Sequence, residues 1–185
     1  MRVIAGKARG MKLKTIEGLD TRPTIDRIKE TLFNIIAFDL PEAKVLDIFA
    51  GSGAIGIEAL SRGAAQAVFV ESNPSCVQVI RENLLHTKLS EWATVLPTDM
   101  QKALSALKDD GESFDIIFMD PPYDSDLAQA ALQEILTRNL IKPEGFIVVE
   151  SGTGIALSFP KEFLVFREKT YKTTTLTFLR LEDIV

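Results

Sequence analysis

The segment Asp47-Ile48-Phe49-Ala50-Gly51-Ser52-Gly53-Ala54-Ile55-Gly56 decides the fold. It continues the apolar run 44–49, turns through two glycines and opens a helix-compatible stretch at 54–62. A glycine turn between strand and helix is where an open α/β sheet places its ligand crevice, beyond the carboxyl ends of the strands. Glycines there let the backbone approach a ligand more closely than any Cβ would permit. Outward from this turn the pattern repeats. Further short apolar runs stand at 67–71, 93–96, 114–119 and 145–150, with helical stretches near 74–88, 100–108 and 126–139. Asn73-Pro74 reads as a cap followed by a first-turn proline. Such alternation predicts a parallel sheet covered on both faces through right-handed crossovers. The runs 163–169 and 174–181 are separated by only a short Thr- and Lys-containing link, which predicts a terminal antiparallel hairpin.

Upstream, residues 2–5 and 11–15 are β-prone and joined through Gly6 and Gly10, so a basic hairpin is expected. Thr24 is placed to cap a helix over 25–38, with Ile25, Ile28, Leu32, Phe33, Ile35 and Ile36 on one face and Pro41 ending the segment. The expected organisation is one domain over 1–185: a hairpin arm (1–22), a leading helix (23–42) and a catalytic core (43–185).

Composition narrows the chemistry. The chain has 185 residues, 46% hydrophobic and 25% charged, a packed-domain profile without low complexity. No run approaches the roughly 18 apolar residues of a membrane span, and the charged start is unlike a signal peptide, so a cytoplasmic protein is expected. One cysteine, Cys76, and one histidine, His86, leave no Cys/His metal cluster and no Cys-His nucleophile. Both are expected to be plain helix-face residues, and Trp92 to pack at a strand edge.

The net charge is −5, yet residues 1–29 hold eight basic and three acidic residues, net +5, while the rest holds thirteen basic and twenty-three acidic, net −10. A basic arm on an acidic body suits phosphate docking as well as a solvated hairpin. Arg2, Lys7, Arg9, Lys12, Arg22 and Arg27 are its candidate phosphate contacts.

The glycine segment satisfies the dinucleotide fingerprint G-x-G-x-x-G, with Glu71 closing the next strand where a ribose-binding acid belongs. Asp47 argues for a different ligand. An anion at that strand end would repel a pyrophosphate but suit a ligand carrying an ammonium and a sulfonium. S-adenosylmethionine is such a ligand, with a ribose for Glu71 and an adenine for the strand end at Asp99-Met100. Both readings stay open on this loop alone.

The run 114–119 leads into Asp120-Pro121-Pro122-Tyr123. Two prolines lack donors and fix φ, so the chain becomes rigid where the sheet ends. Asp120 and the Pro121 carbonyl would form a fixed pair of acceptors, with the Tyr123 ring beside them. An exocyclic base amine is a poor nucleophile because its lone pair is delocalised into the ring. Two acceptors bonding its hydrogens would hold it and aim that lone pair, while Tyr123 stacks on a base drawn out of its helix.

These residues carry a resemblance. The chain resembles class I S-adenosylmethionine-dependent amino methyltransferases, whose hallmark is (D/N/S)-P-P-(Y/F/W). It is similar more narrowly to the RsmD family of bacterial 16S ribosomal RNA guanine-N2 methyltransferases. The narrower match rests on R-V-I-A-G-K-A-R-G-M-K-L (2–13), R-P-T-I-D-R-I-K-E-T-L-F-N (22–34), D-I-F-A-G-S-G-A-I-G-I-E-A-L-S-R-G (47–63) and V-E-S-N (70–73). The resemblance implies a Rossmann-like seven-stranded sheet of order 3-2-1-4-5-7-6 with strand 7 antiparallel. It implies cofactor contacts from Asp47, Phe49, Gly51, Gly53, Glu71, Ser72, Asp99 and Met100, and a catalytic tetrapeptide Asp120, Pro121, Pro122 and Tyr123. It implies no metal, and a monomer acting on 16S ribosomal RNA in the 30S subunit or its assembly intermediate. Other readings are an adenine-N6 methyltransferase, for which 185 residues leave no target-recognition region, an NAD oxidoreductase, and a cofactor-binding assembly factor without catalysis.

Overall fold

The computed structural model describes residues 1–15, 23–122, 126–155 and 157–182. Its strands are β1 (Lys44–Ile48), β2 (Gln66–Val70), β3 (Ala93–Leu96), β4 (Phe114–Met119), β5 (Ile141–Gly152), β6 (Phe163–Thr170) and β7 (Thr174–Leu181). They form one sheet of order 3-2-1-4-5-7-6, as expected, with β1 to β5 parallel and β7 antiparallel to both its neighbours. The helices are α1 (Pro23–Ile35), α2 (Ala54–Ser61), α3 (Pro74–Thr87), α4 (Met100–Asp109) and α5 (Leu127–Arg138).

The period-2 alternation of buried strands divides the core in two. Val45, Ile116 and Phe118 face a layer containing Leu32 and Phe33 of α1, Ile57 of α2 and Ile80 of α3. Leu46, Ile48, Ile117 and Met119 face Leu104 of α4 and Leu132 of α5. Each such fully buried side chain contributes about 1.5–3 kcal/mol of transfer free energy. Gly56 lets α2 lie close on β2, since a Cβ there would stand 2.3 Å from the Phe69 ring. Helix α3 starts at a capped turn: Asn73 Oδ1 accepts from the Ser75 amide at 2.9 Å, with Pro74 at the first position. Its end is the left-handed Lys88, and α5 ends on the left-handed Asn139.

Three boundaries differ from the sequence reading. Helix α1 begins at Pro23, so Thr24 lies inside it rather than capping it, because the proline's fixed φ suits the first turn. It also stops at Ile35, and Phe38 is left 98% exposed beyond the apolar stripe. Strand β5 begins at Ile141, not 145: its register against β4 jumps between Phe114 and Ile116, so Lys142-Pro143-Glu144 bulges outward. Gly145 closes that bulge, where a Cβ would stand 2.8 Å from the Asp115 carbonyl oxygen. A short 3₁₀ turn at Ser90–Trp92 precedes β3.

The N-terminal hairpin forms, with an antiparallel bridge Arg2↔Lys12 and backbone bonds from Val3 N to Met11 O at 2.9 Å and Leu13 N to Met1 O at 3.0 Å. It is no free arm. Val3, Ala8 and Leu13 are buried in the same core layer as α1 and α2.

Candidate active site

The carboxyl ends of β1 to β4 open onto a crevice of ≈ 830 Å³, within the range that accommodates a drug-sized ligand. Phe49 and Gly51 line it from the turn after β1, Glu71 and Ser72 from the end of β2, Asp99 and Met100 from the end of β3, and Asp120, Pro121 and Pro122 from the end of β4. Nine of the expected site residues therefore meet around one space. Tyr123 and Arg22 lie outside the described residues.

Backbone amides fix the acids of this rim. Glu71 Oε2 accepts from Gly51 N at 2.8 Å and Oε1 from Asn73 N at 2.8 Å, so one carboxylate ties the glycine turn to the end of β2. Asp99 caps α4 by accepting from Lys102 N at 3.0 Å, and its carboxyl is held below the usual range, chiefly by that amide. Phe49 adopts φ 64, a left-handed conformation costing roughly 1–3 kcal/mol in a non-glycine residue. A Cβ at Gly51 would meet no protein atom within 4 Å, so the turn leaves open space on the crevice side.

Asp47 and Gly53 stand behind this rim. Gly53, φ 75, is the N-cap of α2 and packs against Ile80. Asp47 is 4% exposed, and its Oδ2 accepts from Gly56 N at 3.0 Å. Burial raises its carboxyl to about 7, and the charges of Asp120 and Glu71 add to that. The structure thus places Asp47 beneath the loop as a buried acceptor that supports α2's first turn. Asp120 is accessible from the crevice, and the protein around it strips enough hydration to raise its carboxyl to about 6. The acids gathered here favour a cationic ligand and oppose a pyrophosphate.

Sequence reasoning missed several contributors. Thr98, Gln101 and Leu127 line the crevice, as does Cys76, which is buried with its thiol raised by burial, the opposite of nucleophile activation. Their signal was position alone: each adjoins a strand end or a helix start. A buried charge cluster also went unread. Glu58 accepts from Ile4 N at 2.8 Å and Ala5 N at 3.0 Å, pairs with Lys29 Nζ at 3.3 Å and accepts from Arg62 Nε at 2.8 Å. Lys29 Nζ also donates to Arg2 O at 2.6 Å. Its visible trace was a lone acid in the apolar run 54–60. Asn83 does a similar job, bonding Lys14 through both backbone groups and Ser52 O at 3.0 Å, which couples the hairpin to the glycine turn.

Arg2, Lys7, Arg9, Lys12 and Arg27 all project into solvent. The hairpin tip lies at the end of α2, with Lys7 N bonded to Ser61 O at 2.7 Å. Trp92 is 37% exposed rather than packed, and Lys7 Nζ sits 4.9 Å from its ring centre.

The family model described as "Conserved hypothetical protein 95" matches residues 1–180. The putative rRNA methyltransferase YlbH of Bacillus subtilis is 39% identical over 94% of this chain and 95% of its own length. Ribosomal RNA small subunit methyltransferase D of Haemophilus influenzae is 38% identical over 92% of this chain and 88% of its own. Among solved structures, a putative methyltransferase, yhhF, from Escherichia coli superposes with a TM-score of 0.85 at 36% identity, covering 98% of both chains. The glycine turn, the acid at the end of β2 and the Asp-Pro-Pro corner are thus found in a chain that belongs to the Conserved hypothetical protein 95 family, the RsmD family.

Proposed function

We propose that this protein is an S-adenosylmethionine-dependent ribosomal RNA methyltransferase that modifies the exocyclic N2 of a guanine in 16S ribosomal RNA, within the 30S subunit or its assembly intermediate, as a cytoplasmic monomer. The observation that carries this reading is that the rigid Asp120-Pro121-Pro122 corner faces the same crevice as Glu71 and Asp99. The names of the relatives support ribosomal RNA of the small subunit as the substrate class.

The crevice fits the cofactor by charge and by space. Glu71, already oriented by two amides, has lone pairs left for ribose hydroxyls. Asp99 and the Met100 amide stand at the adenine end, while Phe49, Gly51 and Ser72 border the remainder, with Gly53 and Asp47 supporting the turn from behind. Bound there, S-adenosylmethionine supplies an electrophilic methyl group on a sulfonium. The chain's own task is positioning. Asp120 and the Pro121 carbonyl accept the two hydrogens of the amine, which fixes the nitrogen and favours its pyramidal form, and Tyr123 stacks on the base. Near-attack alignment of this kind is worth roughly 7–11 kcal/mol. The nitrogen's surplus proton leaves after the N–C bond forms, with Asp120 the nearest acceptor. Arg2, Lys7, Arg9, Lys12, Arg22 and Arg27 meet phosphates.

Asp120→Ala tests the reading: methyl transfer to small-subunit RNA is lost by at least about 10²-fold, while S-adenosylmethionine still binds in a calorimetric titration. Near-normal turnover removes Asp120 from the mechanism. Binding of NADH in place of S-adenosylmethionine would return the crevice to dinucleotide chemistry, and cofactor binding without transfer to any RNA would favour an assembly factor.

A further inference from the structure

Asp120 has a neighbour that the proposed mechanism leaves unused. The parallel register of β4 and β5 pairs Met119 with Val149, so the next residues along the two strands, Asp120 and Glu150, stand side by side at the sheet's carboxyl edge. Alternation places them on the same face. Phe118 and Val148, two residues earlier on each strand, both enter the core layer beneath α1 and α2. Glu150 is half-buried there. On its other side β7 presents Leu176 opposite it, flanked by Thr175 and Thr177, none of them charged. Among the described residues neither acid has an ion-pair partner, so a cation does not explain why β5 carries a carboxyl at this point.

We infer that Glu150 is a positioning residue for Asp120, the two neighbouring carboxyls acting as one unit that holds a single proton and keeps the Asp120 oxygens fixed toward the crevice. The inference rests on Asp120 gripping the amine. Two neighbouring carboxyls at one strand end, with the buried Asp47 of β1 as a further acid coupled to Asp120 by charge, do not ionise together without strong repulsion, so their protons leave in separate steps that belong to the group. Burial and the charge of Asp120 raise the Glu150 carboxyl above its usual range, and burial raises that of Asp120 as well. With one proton on the pair, Asp120, the member that lines the crevice, is the anion and Glu150 the neutral one. At lower pH Asp120 takes up a proton and loses acceptor strength. At higher pH Glu150 ionises and its charge pushes the Asp120 carboxylate from its aligned position.

The test is single-turnover methyl transfer to undermodified small-subunit particles from pH 5.5 to 8.5, with KM for S-adenosylmethionine measured in parallel. The wild type gives a bell, falling toward both ends. Glu150→Gln is a permanently neutral isostere, so it keeps the acid fall and loses the alkaline one, with kcat near neutral pH within about threefold of wild type and KM unchanged. Glu150→Ala removes the support and lowers kcat by about 10- to 100-fold. A Glu150→Gln profile whose alkaline fall matches the wild type overturns the inference. So does a wild type without an alkaline fall, or a uniform loss at every pH in Glu150→Gln, which marks a structural role. Asp120→Ala separates the two levels: if it remains active, the reading of the site itself fails, and if it is inactive while Glu150→Gln behaves as wild type, only the Glu150 inference does.

Discussion

Asp47 shows how one residue is read differently in sequence and in space. Its position at the end of β1 marked it as an anion of the ligand site, and the structure sets its carboxyl under the glycine turn, buried and accepting from Gly56 N. Nothing in a strand-end aspartate distinguishes a side chain reaching outward from one folded back onto the helix that follows. The consequence is measurable. Because burial raises the folded-state carboxyl from 3.8 to about 7, the folded chain binds more protons than the unfolded chain across that window. Stability from this group is therefore present at low pH and lost as pH rises from about 4 to 7, by up to about 1.4 kcal/mol per pH unit. Asp47→Asn removes that slope, which urea denaturation at pH 5 and pH 8 will show as a smaller difference between the two conditions than in the wild type. Gly56→Ala tests packing at the same place: the added Cβ meets the Phe69 ring, and a loss of about 1–3 kcal/mol is expected.

The strands and helices were legible because each carried a local signal: period-2 apolar runs, Asn73-Pro74 at the start of α3, and the double proline ending β4. The bulge at Lys142-Pro143-Glu144 was not, since a proline inside an apolar run reads as an end rather than a detour. Nor was the hairpin's attachment, which depends on Lys29, Glu58 and Arg62, three residues from two helices with no common period. Removing Glu58 by Glu58→Ala leaves Lys29 buried without its carboxylate and the Ile4 and Ala5 amides unpaired. A loss of about 3–5 kcal/mol follows for breaking such a buried pair, seen as a lowered denaturation midpoint. Replacing Arg9 and Lys12 together by alanine has the opposite profile. Both are exposed, so stability holds, whereas affinity for small-subunit RNA falls and the salt dependence flattens by roughly one phosphate contact per residue removed. Unchanged binding would make the hairpin a structural cover for α1, α2 and α3.

At the scale of the whole molecule, the sheet brings together four strand ends, and each adds an acid to or near one crevice: Asp47, Glu71, Asp99 and Asp120. The sequence showed these acids one at a time; the parallel sheet aligns them. A basic hairpin lies across α2 and α3 of the same body, tied to the glycine turn through Asn83. The charge asymmetry read along the chain thus has a spatial counterpart, with exposed cations on the hairpin and acids around the crevice. In the proposed function this acidic crevice delivers a methyl group to a purine amine held at the Asp120-Pro121 corner. The direct measurement incubates the purified protein with isotopically labelled S-adenosylmethionine and small ribosomal subunits lacking the modification, then identifies the labelled nucleoside by mass spectrometry. The expected result is label in N2-methylguanosine from 16S RNA with wild-type protein and none with Asp120→Ala; label on another nucleoside, or equal label with both proteins, overturns the proposed function.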